Sequence, residues 1–90
     1  VDWTPGAATL AGMPLTLTET EAQLLKLLAL HRGNVLSARE IYEAVWNETF
    51  LPSSNNTVMV HIKNLRKKLE TDLTHPQYIH TVWGKGYYLA

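Results

Sequence analysis

The side chains best suited to recognition chemistry lie between Asn55 and Lys68, where lysines and asparagines recur and no acidic residue interrupts them. A helix advances about 100° per residue, so apolar residues three or four apart share one side of it. Four apolar residues of positions 56–70 fall in one narrow sector, which we expect to be buried: Val58, Ile62, Leu65 and Leu69. The opposite sector collects Asn56, Val60, Lys63, Asn64 and Lys67. Thr57 and His61 lie on one flank of that opposite sector.

This exposed sector has the chemistry of a surface that reads double-stranded DNA. Lysine binds phosphate oxygens, asparagine can make two hydrogen bonds to the edge of an adenine, and valine can contact a thymine methyl group. A helix that is merely solvated usually mixes acids with bases. A short basic face without a binding role is nevertheless common, and that interpretation stays open for the helix taken alone. We take the five residues of the sector, together with Thr57 and His61, as candidate DNA contacts.

A glycine-rich turn follows the helix and strengthens this interpretation. Trp83-Gly84-Lys85-Gly86 separates the β-rich residues 78–82 from Tyr87-Tyr88-Leu89, so a hairpin is predicted. Glycine lets a backbone approach a phosphate closely, and Lys85 adds positive charge. Most turns of this kind only join two strands, so the turn carries weight only in combination with the helix.

Helix and hairpin together predict a winged helix that binds DNA sequence-specifically. We expect the recognition helix, residues 55–69, to enter the major groove. We expect the wing, residues 79–89, to meet the backbone or the minor groove. The candidate contacts on the wing are Thr81, Trp83 and Lys85.

Two earlier helices must hold the recognition helix in place. Thr18 with Glu21, and Ser37 with Glu40, have the spacing of a capping box, in which each side chain binds the other residue's backbone N–H. Gly33 is expected to end the first helix in the left-handed conformation. The apolar face of the first helix consists of Leu24, Leu25, Leu27 and Leu28.

The second helix follows a brief extended stretch, Val35-Leu36, and is expected to stop near Asn47. One of its sides carries Ile41, Val45 and Trp46. Residues 47–54 contain Pro52 and several small polar residues, which predicts a loop. Either Ser54 or Asn55 is expected to cap the third helix.

Residues 1–17 are poor in charge and are predicted to form a small antiparallel sheet with tight turns. Short alternations such as Leu15-Thr16-Leu17 are broken by Gly6, Gly12 and Pro14. The predicted class is therefore α+β: a small N-terminal antiparallel sheet, three helices and a C-terminal β-hairpin.

The formal net charge of zero conceals an uneven distribution. Residues 1–55 contain three basic and six acidic side chains, whereas residues 56–90 contain five basic and two acidic ones. Such a split predicts a polyanion-binding end and a neutral or acidic remainder.

The 90 residues fit one domain, residues 1–90, because a second core would need a longer chain. The first residue is Val1 and not Met, which suggests a piece of a longer protein. The start does not resemble a signal peptide, and the longest apolar run, Leu27 to Leu30, is far too short to span a membrane. We therefore expect a cytoplasmic protein without membrane contact.

Catalytic and metal-binding functions find no support in the sequence. The chain has no cysteine, and its four histidines lack the short spacing of metal ligands. No nucleophile–base order, carboxylate pair or nucleotide-binding glycine loop occurs. We expect no enzyme activity, no cofactor and no metal.

A winged helix that binds another protein is the main alternative function. Trp46, Phe50 and Leu51 could form an exposed apolar patch for a partner. Trp46 also continues the apolar side of the second helix, which favours a place in the core. The acid-free face of the third helix favours DNA, and the two functions could coexist on different surfaces.

Four collinear blocks resemble the OmpR/PhoB-type effector domain of bacterial response regulators. The matching residues of the first two helices are Leu17-Thr18, Glu21, Leu24-Leu25, Leu28, Val35-Leu36-Ser37, Ile41 and Val45-Trp46. Those of the recognition helix and wing are Asn56-Thr57-Val58-Met59-Val60-His61-Ile62, Leu65-Arg66-Lys67-Lys68-Leu69, Glu70, Ile79, Thr81-Val82, Gly84, Gly86-Tyr87 and Leu89.

The resemblance implies more than the residues themselves indicate. It implies a four-stranded N-terminal sheet and a hairpin that pairs with a strand between the first two helices. It implies a receiver domain outside these residues, phosphorylated in a two-component phosphorelay by a cognate sensor kinase. It further implies binding to direct repeats as head-to-tail pairs, and contact with RNA polymerase through the loop at residues 47–54.

Three positions depart from the common family pattern. Asn56 and Trp83 stand where the family commonly has arginine, and Met59 stands where it commonly has aspartate. Met59 and Trp83 are similar to a VanR-like subgroup. The operator of other family members is therefore not transferred to this chain.

Overall fold

The chain runs from a small sheet through three helices to a hairpin. This computed structural model describes residues 2–4, 7–10, 13–14, 16–70, 72 and 74–90. The elements are β1 (Asp2–Thr4), β2 (Ala7–Leu10), β3 (Met13–Pro14), α1 (Glu19–Leu30), α2 (Ala38–Trp46), α3 (Ser54–Leu69), β4 (Ile79–Val82) and β5 (Gly86–Leu89). The predicted α+β class with a C-terminal hairpin is confirmed. The hairpin, residues 79–89, is called the wing below.

Both predicted capping boxes are present. The backbone N–H of Glu21 donates to Thr18 Oγ1 over 3.2 Å, and Thr18 N–H donates to Glu21 Oε1 over 3.0 Å. The Ser37 and Glu40 pair makes the same two bonds over 3.1 and 3.0 Å. Each box satisfies N–H groups that the first turn of a helix leaves without partners, so α1 and α2 begin at fixed residues.

The predicted end of α2 is confirmed, whereas α1 ends before the predicted residue. Helix α2 stops at Trp46, and Asn47 takes the left-handed conformation with φ 55°. Helix α1 ends at Leu30, so Gly33 is not the residue that ends it. Gly33 lies in the following turn at φ 83°, where its N–H donates to Leu89 O over 2.8 Å. Its left-handed conformation directs the chain towards β5 instead of closing α1.

Helix α3 begins one residue earlier than predicted, and the predicted cap is wrong. Its first residue is Ser54, and Ser53 at the N-cap position makes no side-chain capping bond. Ser54 Oγ instead accepts from Leu51 N–H over 3.0 Å, while Ser54 N–H donates to Leu51 O over 2.9 Å. Ser54 therefore closes the preceding turn, and the loop between α2 and α3 ends at residue 53.

The core lies where the three helices meet the base of the wing. Its buried apolar residues are Leu24, Leu25, Leu28, Leu36, Ile41, Val58, Ile62, Leu65, Leu69, Ile79 and Leu89. The apolar sector expected for α3 is thus confirmed in full. Trp46 and Val45 are half-buried and pack against the core. Within the described ranges, no helix combines the length and the apolar character that crossing a bilayer requires.

The N-terminal sheet has three antiparallel strands in the described residues, in the order β1-β2-β3. The family resemblance implied four. Pro14 was expected to interrupt the sheet, but it belongs to β3, where it pairs with Thr9 of β2. Strand β3 lies at the edge of the three described strands. An edge strand tolerates proline because the missing N–H can face away from the neighbouring strand. Thr16 and Leu17 are not in a strand. The predicted breaks at Gly6 and Gly12, and Leu15 of the predicted alternation, lie outside the described residues.

The wing is attached to the segment between α1 and α2, as the resemblance implied. Leu36 N–H donates to Tyr87 O over 2.8 Å, and Tyr87 N–H donates to Leu36 O over 2.9 Å. Strand β5 therefore lies between β4 and the extended residues around Leu36. This pairing fixes the base of the wing to the helical part of the domain.

The close approach at this pairing requires a glycine at position 86. A Cβ on Gly86 would lie 1.9 Å from Leu36 O and 2.9 Å from Ser37 Cα. These neighbours are backbone atoms, which cannot rotate away as a side chain can. The φ of Gly86 is also 150°, a value that residues with a side chain rarely adopt.

We predict that Gly86→Ala lowers the free energy of unfolding by about 2–3 kcal/mol or more, since it adds overlap to backbone strain. Urea denaturation of the purified domain measures this change. Gly84→Ala is the matched control, because Gly84 also has a positive φ, 77°, but no atom within 4 Å of the added Cβ. It should cost only about 1 kcal/mol. Equal losses in the two variants would contradict the role given to the Leu36 pairing.

Candidate nucleic-acid interface

The polar face of α3 is open to solvent along its length. Its five residues are all exposed: Asn56, Val60, Lys63, Asn64 and Lys67. The buried residues of α3 lie on the opposite side, so the two sectors predicted for the helix are observed. Val60 is 45% exposed, which is high for a branched apolar side chain in a small domain.

Arg66 joins α3 to the wing. Its Nε donates to Ile79 O over 3.2 Å, and a terminal guanidinium nitrogen donates to Thr81 Oγ1 over 2.5 Å. Burial lowers the pKa of Arg66, an effect that Tyr87 and Glu70 oppose. Burial likewise raises the pKa of the Tyr87 hydroxyl. Arg66 therefore holds the wing against α3, and its half-buried side chain lies between the two elements.

Lys68 is also engaged within the domain. Its ammonium forms an ion pair with Glu21, the residue that caps α1. Burial alone would raise the pKa of Glu21, but hydrogen bonds from Lys68 and Thr18 outweigh it and lower the pKa. The pair links the C-terminal end of α3 to the start of α1, which leaves Lys68 outside the interface.

The remaining lysines of residues 56–90 make no ion pair in the described part of the chain. They are Lys63 and Lys67 on α3 and Lys85 at the tip of the wing, and all three are exposed. Of the five basic side chains in residues 56–90, two therefore bind other parts of the domain, Arg66 and Lys68. The other three remain available to bind an anionic partner.

Glu70 fixes the segment that enters the wing. Its carboxylate accepts from the backbone N–H of Gln77 over 2.8 Å and from those of Tyr78 and Ile79 over 3.1 Å. An anion that accepts several N–H groups is held more strongly than a neutral acceptor would be. The start of β4 is therefore tied to the end of α3, close to Arg66.

A groove of about 390 Å³ separates α3 from the wing. Asn56, Val60 and Lys63 line the helix side, while Thr81 and Trp83 line the wing side. Trp83 is 88% exposed at the end of this wall. These five predicted contacts therefore face one shared space, whereas Asn64, Lys67 and Lys85 do not line it.

Thr57 and His61 lie on the other flank of α3, away from the wing. His61 Nδ1 lies 2.8 Å from Thr57 O, and its ring meets Trp46 edge-on with centroids 5.0 Å apart. Both residues are half-buried. The structure does not bring them to the groove, and it gives His61 a packing role between α2 and α3.

Most of the expected apolar patch at the α2–α3 loop packs against other side chains of the domain. Tyr42 stacks on Trp46 with centroids 5.1 Å apart, and Phe50 meets Tyr42 edge-on at 5.8 Å. The guanidinium of Arg39 lies 5.8 Å from the Phe50 ring. Leu51 is 57% exposed and is the member of the proposed patch that remains open to solvent.

Sequence reasoning missed Met59 and the separate role of Arg66. Met59 is 47% exposed and lines the groove together with Trp83. Its position, three residues after Asn56 and four before Lys63, was a signal that it neighbours the polar face. Helical spacing placed Lys67 and not Arg66 on the polar face, but no sequence signal showed that Arg66 binds Ile79 and Thr81 of the wing.

The described residues hold no cluster of three or more side chains that could bind a metal ion. His75 and Asp72 form one exposed ion pair, with Nδ1 and Oδ2 3.1 Å apart. Two such groups on a surface turn do not make a coordination site.

The family comparison covers nearly the whole chain. A family model described as "Transcriptional regulatory protein, C terminal" matches residues 12–89. The regulatory protein VanR of Enterococcus faecium is 42% identical over 73 residues, which are 81% of this chain and 32% of VanR. The chain spans about a third of the length of the curated relatives it matches.

Solved structures share the fold. The RstA DNA-binding domain of Klebsiella pneumoniae, in complex with the RstA box, is similar with a TM-score of 0.85 and 31% identity over 93% of this chain and 82% of that one. The response regulator DrrB of Thermotoga maritima, an OmpR/PhoB homolog, is similar with a TM-score of 0.79 and 32% identity. The match covers 90% of this chain and 36% of DrrB.

Proposed function

The chain belongs to the family of C-terminal domains of transcriptional regulatory proteins, and on this premise we propose that it binds double-stranded DNA sequence-specifically through α3 and the wing. The observation that carries the proposal is the exposed face of α3. It presents amides, an apolar side chain and two lysines that form no ion pair in the described part of the chain, beside a groove whose other wall carries Trp83. Lys85 lies near Trp83 at the tip of the wing. The predicted OmpR/PhoB-type resemblance and the VanR-like similarity are confirmed.

The width of a helix suits the major groove, so α3 supplies the base contacts and the wing meets the backbone or the minor groove. Lys63, Lys67 and Lys85 would bind phosphates. Asn64 and Val60 would read bases, with Asn56 and the wing residues Thr81 and Trp83 beside them. Thr57 and His61 lie at the edge of this surface, where a phosphate is the group within reach.

The proposal concerns binding and includes no catalysed reaction. That the domain is not an enzyme follows from the family, whose members regulate transcription. A winged helix that binds only a protein is less well supported, because Trp46 and Phe50 pack against neighbouring residues of the same domain.

We further propose that the 90 residues are the effector domain of a cytoplasmic response regulator. The receiver domain and its sensor kinase would lie outside this chain. The fraction of VanR that the chain covers supports this arrangement.

Base reading and phosphate binding should separate on mutation. With a duplex selected from a random pool, Asn64→Ala should lose about 1–3 kcal/mol of binding free energy and relax the preference at one base pair. Lys67→Ala should weaken all sequences alike and reduce the slope of log affinity against log salt by about 0.9. Fluorescence anisotropy across a site library at several salt concentrations measures both effects.

Lys68→Ala is the matched control for Lys67→Ala, because Lys68 is the next residue but pairs with Glu21. It should leave the salt slope unchanged. If Asn64→Ala and Lys67→Ala produce the same pattern across the library, the division of roles is wrong.

We also propose that the α2–α3 loop contacts RNA polymerase. At seven residues, 47–53, it is longer than the turn of about three or four residues that a DNA-reading helix pair needs. Its exposed Leu51 is a suitable contact, whereas Phe50 is half-buried.

We expect Leu51→Ser in the full-length regulator to keep duplex affinity and lower activated transcription in a reaction reconstituted with polymerase. Leu30→Ser is the control, because Leu30 is also a highly exposed leucine, 72%, but belongs to α1 and not to the loop. It should change neither quantity. Unaltered promoter output from Leu51→Ser would refute the loop contact.

Finally, we propose that the domain is a monomer in solution and pairs head-to-tail on DNA. The exposed large apolar residues of the described ranges are distributed over α1, the α1–α2 connection, the α2–α3 loop, α3 and the wing. They do not form the continuous apolar seam of a stable dimer. A heterologous contact between the N-terminal sheet of one domain and the wing side of the next would align them.

Such pairing predicts direct half-sites about 10–10.5 bp apart, on one side of the duplex. Inserting about half a turn between them should abolish cooperative binding and leave single-site affinity unchanged. Sedimentation of the protein without DNA, together with gel-shift titrations of the spacing series, provides the measurement. A stable dimer without DNA, or a preference for inverted repeats, would contradict head-to-tail pairing.

A further inference from the structure

Met59 is an exposed apolar side chain placed among the proposed DNA contacts. It is 47% exposed on α3 and directly precedes Val60. Residues three and four apart are neighbours on a helix surface, so Met59 lies between Asn56 and Lys63. On the helix it occupies the same edge as Arg66, the residue that holds the wing.

The fold gives Met59 no packing task that would explain an apolar residue here. It does not belong to the core or to the half-buried residues packed against it. Its sulfur makes one long contact with the Asn55 side-chain nitrogen, 3.6 Å away on the exposed surface. The rest of the side chain faces the groove whose opposite wall carries Trp83.

The chemistry of the DNA major groove restricts what such a side chain can recognise. Base edges present hydrogen-bond donors and acceptors there, and the one apolar group among them is the methyl of thymine. The methionine side chain offers no donor and only a weak acceptor, so it cannot discriminate among the polar groups. Its flexible thioether adapts well to a small apolar surface.

We propose that Met59 is a specificity-determining residue that contacts the methyl group of a thymine in the major groove, an inference that rests on the DNA-binding function proposed above. Met59 and Val60 are about 100° apart on the helix. They therefore contact different base pairs, and together they give α3 two separate preferences for thymine. Trp83 closes the wing side of the groove next to Met59.

Replacing thymine by deoxyuridine removes only this methyl group, so it tests the contact directly. In a duplex selected from a random pool, each thymine is replaced in turn. At the thymine that Met59 contacts, this replacement should lower the affinity of the wild-type protein about fourfold, because burial of one methyl group is lost. The side chain of Met59→Gln is equally long but polar, and this variant should bind both versions of that duplex equally.

Two further variants make the assignment specific. Met59→Leu stays apolar and should retain the sensitivity at that thymine. Val60→Ala should lose sensitivity at a different thymine and retain the one assigned to Met59. Circular dichroism melts should be the same for all variants, because neither residue belongs to the core.

The inference is wrong if replacement of every thymine in turn changes the affinity of wild type and of Met59→Gln equally. It is also wrong if Met59→Gln selects the same sequences as wild type, with no preference for thymine relaxed. Sequence-specific binding that persists in such a result would leave the proposed function standing. Failure of the wild-type protein to select any sequence would refute the proposed function, and the Met59 contact with it.

Discussion

The placement of the wing depends on one half-buried guanidinium. Arg66 reaches from α3 to Ile79 O and Thr81 Oγ1, and so fixes the distance between the helix and the hairpin. Glu70, four residues later, holds the backbone that enters β4 through three N–H groups. The two residues together make α3 and the wing one surface. The groove keeps a defined shape only if α3 and the wing are fixed relative to each other. If they moved independently, ordering them on DNA would weaken binding.

The other side of the wing is fixed by backbone contact. The Leu36–Tyr87 hydrogen bonds bring β5 so close to the α1–α2 connection that a side chain at Gly86 has no room. The capping boxes contribute to the same end, since they set where α1 and α2 begin and hence where Leu36 lies between them. Glu21 does two things in this arrangement: it caps α1 and it binds Lys68 at the far end of α3.

Features that depend on nearby residues in the chain could be predicted from the sequence. The capping boxes and the buried sector of α3 follow from spacing, and the hairpin follows from its glycines. Features that depend on distant residues could not. Helical spacing placed Lys67, and neither Arg66 nor Lys68, on the polar face of α3. It could not show what the other two cations bind, because Thr81 and Glu21 are distant in the chain. The start of α3 was misplaced for a local reason: a serine at this position can cap a helix or close the preceding turn, and Ser54 does the latter. The contact of His61 with Trp46 could not be predicted either, because it depends on how α2 packs against α3.

The central claim is that Arg66 supports DNA binding by holding the wing and not by touching phosphate. The salt dependence of DNA affinity in Arg66→Met tests it most directly, because this change keeps an unbranched apolar side chain and removes the charge and its hydrogen bonds. The account predicts weaker binding to the selected duplex with an unchanged slope of log affinity against log salt. A slope reduced by about 0.9 would mean that Arg66 neutralises a phosphate. That result, or an affinity equal to wild type, would contradict the account.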